Sequence, residues 1–108
     1  MQSQHPKETK FLSIAANQTM PAMDISRQYG YSLQAVVKNN SSLSATLKLQ
    51  CSNDNENFSD ISGATLTLNA NGSQMINLDA LHYCFIRAVI TYTSGTADVI
   101  IFQNTKGN

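Results

Sequence analysis

The residues best suited to chemistry are carboxylates that lie close together in one short polar segment. Asp54, Glu56 and Asp60 fall within SNDNENFSD, which begins at Ser52. A pair of carboxylates acts as general acid and general base when the two groups face each other across a cleft. These three carboxylates share one predicted turn, so they do not form such a pair. A calcium site needs about six to eight oxygen ligands, and the EF-hand spacing is absent. We therefore interpret the segment as a solvated turn.

Two cysteines and two histidines are the other candidates for metal binding or redox chemistry. His5 lies in a polar N-terminal segment and His82 at the start of a predicted strand, so neither completes a metal site. Cys51 and Cys84 both fall at positions predicted to point inward, where they either form a disulfide or remain buried thiols. No spacing of residues is typical of a nucleophile and its base. We expect no catalytic residue, no cofactor and no metal, and the chain is predicted not to be an enzyme.

Short β-strands must position these residues, because apolar and polar residues alternate with a period of two along much of the chain. Leu47, Leu49 and Cys51, for example, alternate with polar neighbours. No segment has helical periodicity, and turn residues separate the candidate strands. The pattern predicts an all-β fold: a single antiparallel β-sandwich, jelly-roll-like, of about eight strands. The candidate strands are 10–15, 22–25, 31–38, 45–52, 58–61, 65–69, 73–78, 83–92 and 97–103.

Turn residues predict how some of these strands connect. Asn39-Asn40-Ser41-Ser42 is predicted as a turn. A three-residue loop, Ala70-Asn71-Gly72, predicts a hairpin that pairs Leu66 with Ile76. A two-residue turn at Ser94-Gly95 predicts a second hairpin that pairs Ile90 with Val99.

The second predicted hairpin is apolar on both faces, whereas a sandwich normally leaves one face in water. We therefore expect its outer face to be covered by the N-terminal arm or by another subunit. The residues of this expected subunit interface are Phe85, Val89, Ile100 and Phe102.

Composition limits the function classes. The chain has 108 residues, which is the length of one domain, and its seven basic residues balance its seven acidic residues. This balance argues against a nucleic-acid partner or an anionic membrane surface. The N-terminus has no apolar stretch typical of a signal peptide.

The chain is predicted to divide into a polar N-terminal arm, residues 1–9, and a β-sandwich domain, residues 10–108. We expect the start of the chain to dock on a neighbouring subunit. The candidate docking residues are His5, Pro6, Lys7 and Phe11.

Three motifs and a predicted hairpin, in order along the chain, resemble those of small β-sandwich virion structural proteins of tailed bacteriophages. The motifs are MDISRQYGYSLQAVV, LKLQCSNDNENFSDI and YCFIRAVITYTSGTADVII, and the Ala70-Asn71-Gly72 hairpin lies between the second and the third. The second motif is also similar to the turn of discoidin and galactose-binding-like jelly rolls. Asn55 stands where glycine is usual, and Asn is an acceptable left-handed substitute. Phe58 replaces the more common tryptophan.

The resemblance implies a non-enzymatic virion protein that is capsid-associated, as a decoration protein, or associated with the tail or fibres. It implies assembly in the host cytoplasm into the virion, with other virion proteins such as the major capsid protein as partners. We expect a homo-oligomer, with a trimer as the predicted state. The alternative is a carbohydrate-binding module of galactose-binding-like type, for which only the jelly roll itself argues.

Overall fold

The computed structural model describes residues 7–25, 28–78 and 84–107, and this part of the chain contains β-strands and no helix. Consequently, no helix among these residues could cross a membrane. All strand pairs are antiparallel. The strands are β1 (Lys7–Phe11), β2 (Gln18–Thr19), β3 (Met23–Asp24), β4 (Gln28–Ser52), β5 (Ser59–Leu68), β6 (Gly72–Leu78) and β7 (Phe85–Gly107).

Two long strands, β4 and β7, form the centre of the fold. They pair with each other from Ser52 opposite Phe85 at one end to Gln28 opposite Gly107 at the other. The register shifts three times between Lys38 and Ala45, near the middle of both strands. Such irregularities bend a strand pair, so the β4–β7 ribbon folds over at its middle.

Because the β4–β7 ribbon bends at its middle, its two halves belong to two different sheets. The first half of β4 (31–37) lies between β6 and the second half of β7, and β1 is the far edge of this sheet A. The second half of β4 (45–52) lies between β5 and the first half of β7, and β2 and β3 form the far edge of this sheet B. Each sheet is therefore four strand positions wide, in the connectivity of a jelly roll. The predicted all-β sandwich is confirmed.

The inward-facing side chains of both sheets meet in one core. Every second residue is buried on each half of β4 and β7, which is the alternation that the sequence predicted. The molecule is 20 Å thick along its shortest axis, as two stacked sheets require. The largest fully buried apolar side chains are Ile25, Leu33, Leu47, Leu49, Leu68, Ile86, Ile90, Val99 and Ile101.

The two turns predicted within 39–42 and at Ser94-Gly95 are corners of the ribbon, and the hairpin prediction at Gly95 is wrong. β7 continues through Gly95, so Ile90 pairs with Leu47 and Val99 with Val37 rather than with each other. Left-handed φ values occur at Asn39 (54°), Ser42 (56°) and Gly95 (80°). Residues that tolerate such φ values allow a strand to turn a corner as readily as to reverse.

The predicted hairpin at Ala70-Asn71-Gly72 is also wrong. Leu66 pairs with Leu47 in sheet B and Ile76 pairs with Leu33 in sheet A, so the loop between β5 and β6 crosses from one sheet to the other. Asn40, at the corner of β4, holds this loop: its amide donates to Asn71 Oδ1 (2.9 Å) and its Nδ2 donates to the Asn69 carbonyl (3.3 Å).

The N-terminal part of the chain belongs to sheet A. Residues 7–9, which the sequence placed in the polar arm, are strand residues of β1 and pair with β7. Phe11 packs against the chain's own core. Residues 1–6 of the predicted arm lie outside the described residues.

Candidate functional site

The conspicuous motif, SNDNENF, folds into a turn built on two side chains. Ser52 Oγ accepts hydrogen bonds from the amides of Asp54 (3.2 Å) and Asn55 (3.0 Å) and donates to Asp54 Oδ1 (2.7 Å). Asp54 Oδ1 also accepts from the amides of Glu56 and Asn57, both at 2.9 Å, and Oδ2 accepts from Asn57 Nδ2 (2.7 Å). Asn55 has a φ of 61°, which confirms it as the left-handed residue of the turn.

The carboxylate of Asp54 therefore stabilises the turn. The amides of Asn57 and Glu56, with the Ser52 hydroxyl, hold its pKa well below the usual range of an aspartate. Both carboxylate oxygens are occupied by these donors. The described residues contain no group of three or more ligating side chains that could hold a metal ion.

A polar chain beside this turn crosses the outer surface of sheet B. Lys48 Nζ lies 3.3 Å from Asp60 Oδ2, Gln50 Nε2 donates to Asp60 Oδ1 (2.9 Å), and Arg87 Nε donates to Gln50 Oε1 (2.8 Å). The Arg87 guanidinium carbon lies 4.0 Å from the centroid of the Phe58 ring, a cation–π contact. The half-buried ring of Phe58 packs under Arg87 and is not among the side chains that contact the core.

The four residues of the expected subunit interface do not form one surface. Phe85 and Val89 pair with the second half of β4 and lie on the outer face of sheet B. Ile100 and Phe102 pair with the first half of β4 and lie on the outer face of sheet A. The prediction of a single face is wrong because β7 bends between the sheets instead of reversing in a hairpin. All four side chains are half-buried in the single chain.

The outer face of sheet A carries a cluster of apolar side chains. Phe102 lies opposite Gln34, which lies opposite Met75 on the next strand, and Ile100 lies opposite Val36. Met75 is 55% exposed. We name this surface the outer patch; its members are Val36, Met75, Ile100 and Phe102.

Charged residues on β1 border the outer patch along one side. On β1, Glu8 lies opposite Phe102 and Lys10 lies opposite Ile100. Val36 and Met75 were not predicted from the sequence as members of this surface. The signal was the doublet Val36-Val37, in which one side chain must point outward when the other points inward.

Two of the four candidate docking residues lie in β1, and the other two lie outside the described residues. Lys7 and Phe11 are the two ends of β1 and pair with Gln103 and Val99 of the same chain. His5 and Pro6 lie outside the described residues. Docking of the arm on another subunit stays a prediction.

Cys51 and Cys84 are both free and half-buried. Cys51 pairs with Ile86 in the ladder, while the Cys84 amide donates to the Ser52 carbonyl (3.2 Å). Burial raises the pKa of the Cys51 thiol. His82 lies outside the described residues.

The aromatic side chains that the structure describes offer no exposed platform for a sugar ring. Tyr31 is buried, and its hydroxyl donates to Gln103 Oε1 (2.6 Å) inside the core. Burial holds the pKa of Tyr31 far above its ordinary value. The other described aromatic side chains are half-buried: Phe11, Phe58, Phe85, Tyr92 and Phe102.

No protein-family model and no curated protein sequence match this chain. Solved structures do match it. The PBSX exported protein XepA aligns with a TM-score of 0.72 at 11% identity, over 98% of this chain and 37% of that one. Endospore appendages of Bacillus, described as disulfide-linked pili, align at 0.59 and 12% identity over 98% and 88%. The SPBc2 prophage-derived protein YomS aligns at 0.55 and 11% identity over 94% of both chains. At these identities the likeness shows the fold, which this chain shares with prophage-derived and pilus proteins.

Proposed function

We propose that this chain is a structural protein of a bacteriophage virion, bound to the capsid as a decoration protein or to the tail or fibres. It acts by assembly and carries out no catalysis. Its partners are further copies of itself and other virion proteins, such as the major capsid protein.

The outer patch is the observation that carries this proposal. Three half-buried apolar side chains and the exposed Met75 lie together on a sheet face, with the polar side chain of Gln34 among them. An apolar centre with a polar rim is typical of protein–protein interfaces. The motif resemblance and the fold shared with prophage-derived proteins support a phage particle as the place of assembly.

The test is incorporation into particles. Phage particles are purified by density gradient from the cells that encode the chain, and their proteins are quantified by mass spectrometry. We expect the chain at a constant ratio to the major capsid protein. Recovery of the chain only from the unassembled fraction would contradict the proposal.

A matched pair of variants links incorporation to the outer patch. Phe102→Lys places a charge in the outer patch, and Thr91→Lys places the same charge on the exposed outer face of sheet B. Both proteins are first compared with the wild type by far-ultraviolet circular dichroism. We expect folded Phe102→Lys to be lost from particles and Thr91→Lys to be retained. Equal incorporation of the two variants would show that the outer patch takes no part in assembly.

A further inference from the structure

The two lateral sides of the sandwich differ in charge. One side is formed by β1, β2 and β3, whose residues include Lys7, Glu8, Lys10 and Asp24. The other side is formed by β5 and β6, and between Ser59 and Leu78 the only charged residue is Asp60. Charged residues on an edge strand prevent other strands from pairing with it. The sandwich is therefore protected against strand addition on one side and not on the other.

Of the two strands on the side with the single charged residue, β6 has the regular edge. β5 shifts register against β4 between Lys48 and Gln50, and its own edge carbonyl at Thr67 accepts a hydrogen bond from Gln74 Nε2 (2.8 Å). β6 pairs with β4 through seven consecutive residues without any shift. Within the described part of the chain, β4 is also its only strand partner, so the other edge of β6 presents backbone donors and acceptors for a further strand.

We propose that the free edge of β6 pairs with β6 of a second copy, antiparallel and about a twofold axis at Met75. This proposal rests on the assembly role proposed above and specifies the contact through which two copies of the chain associate. Complete overlap of the two seven-residue strands places Met75 opposite Met75 of the second copy. The two copies of sheet A then form one continuous sheet of eight strand positions.

The distribution of charged residues favours β6 of a second copy as the strand that pairs with the free edge of β6. A head-to-tail ring, including the predicted trimer, would pair β6 with a different edge of its neighbour. The opposite edge of sheet A is β1, where Lys7, Glu8 and Lys10 would lose water without gaining a charged partner. Two β6 edges bring no charge into contact, and a twofold contact between identical surfaces closes by itself.

The same pairing also extends the outer patch. Met75 stands on the outer face of sheet A, at the border of the patch nearest the free edge. Across the twofold axis the two outer patches become neighbours, so one larger apolar surface faces the rest of the particle. The dimer is then the unit that docks.

The experiment exchanges charges at the axis. Light scattering coupled to size-exclusion chromatography is run over a concentration series on the wild type, Met75→Lys, Met75→Glu and an equimolar mixture of the two variants. We expect twice the 11.8 kDa chain mass for the wild type. Either variant alone should raise the dimer dissociation constant roughly tenfold or more, because like charges directly opposite each other on paired strands repel. The mixture should restore the dimer, since lysine then faces glutamate.

Leu12→Lys is the matched control, because Leu12 is 69% exposed and lies outside every strand. This variant should remain a dimer. If Met75→Lys loses the circular dichroism of the fold, the double variants Ser73→Lys/Asn77→Lys and Ser73→Glu/Asn77→Glu replace the pair, because residue 73 of one copy faces residue 77 of the other across the same axis.

The proposal is overturned by a wild type that is monomeric at every concentration, by equal effects of Leu12→Lys and Met75→Lys, or by a mixture that stays monomeric. Its failure is distinct from that of the proposed function. A monomer that enters particles refutes only the β6 pairing, and a dimer that is absent from particles refutes only the virion role.

Discussion

Replacement of Gly95 by alanine tests whether the corner of β7 is packed directly against the corner of β4. A Cβ atom at Gly95 would overlap the carbonyl carbon and oxygen of Ser42 and would lie 2.6 Å from the Leu43 amide nitrogen. These are backbone atoms, so no side-chain rotation relieves the overlap. The φ of Gly95 is 80°, which adds strain for any residue with a Cβ.

The expected loss of stability has two parts. The left-handed φ costs an alanine about 1–2 kcal/mol. Displacement of the Ser42–Leu43 backbone in a packed region adds about 1–3 kcal/mol. The sum is about 2–5 kcal/mol, a large share of the roughly 5–15 kcal/mol by which domains of this size are stable. Gly63 has nearly the same φ, 78°, and has no atoms within 4 Å of its Cβ position, so Gly63→Ala carries only the first part.

Urea unfolding followed by far-ultraviolet circular dichroism measures both variants against the wild type, since the chain has no tryptophan for fluorescence. Any stiffening of the unfolded chain by alanine is common to both variants and cancels in their comparison. We expect Gly95→Ala to be the less stable by at least about 1 kcal/mol. Equal free energies of unfolding would refute the close approach of the two corners.

Two further predictions concern the motif turn and the outer face of sheet B. Because its hydrogen bonds lower the folded-state pKa of Asp54, the ionised side chain stabilises the fold above the unfolded pKa of about 4, and this stabilisation is lost as pH falls through the lowered folded value. Urea midpoints at pH 6 and pH 3 should therefore differ less in Asp54→Asn than in the wild type, and an unchanged difference would contradict the turn's hydrogen bonding. Asp60 and Asp98, whose pKa values are also lowered, leave the variant with part of the dependence. Arg87→Ala, Phe58→Leu and the double variant should show a coupling free energy of about 0.5–1 kcal/mol from the cation–π contact, and additive effects would show that the ring and guanidinium do not interact.

The sequence predicted the strands better than their connections. Alternation identified the buried residues of β4 and β7, because period two is a property of each strand by itself. The sequence predicts chain reversals at 39–42 and at Gly95, because turn residues indicate only that the extended backbone conformation is interrupted there. Whether such a break bends a strand or reverses it depends on the strand opposite, and Ser42 meets Gly95 only in the folded ribbon.

The candidate site shows the same division. The turn at Ser52–Asn57 was predicted because its hydrogen bonds join residues two or three positions apart. The outer patch could be predicted only in part, since Ile100 and Phe102 lie on one strand whereas Val36 and Met75 come from two others. Its members become neighbours only through the order of strands in sheet A.

The continuity of β4 and β7 through both sheets has a mechanical consequence. In a sandwich whose layers touch only through side chains, a lateral load lets one layer slide across the other. Here two unbroken backbones enter both layers, so a pull on sheet A is transmitted to sheet B through covalent bonds as well as through the core. Separation of the two layers therefore requires the β4–β7 ribbon itself to unzip.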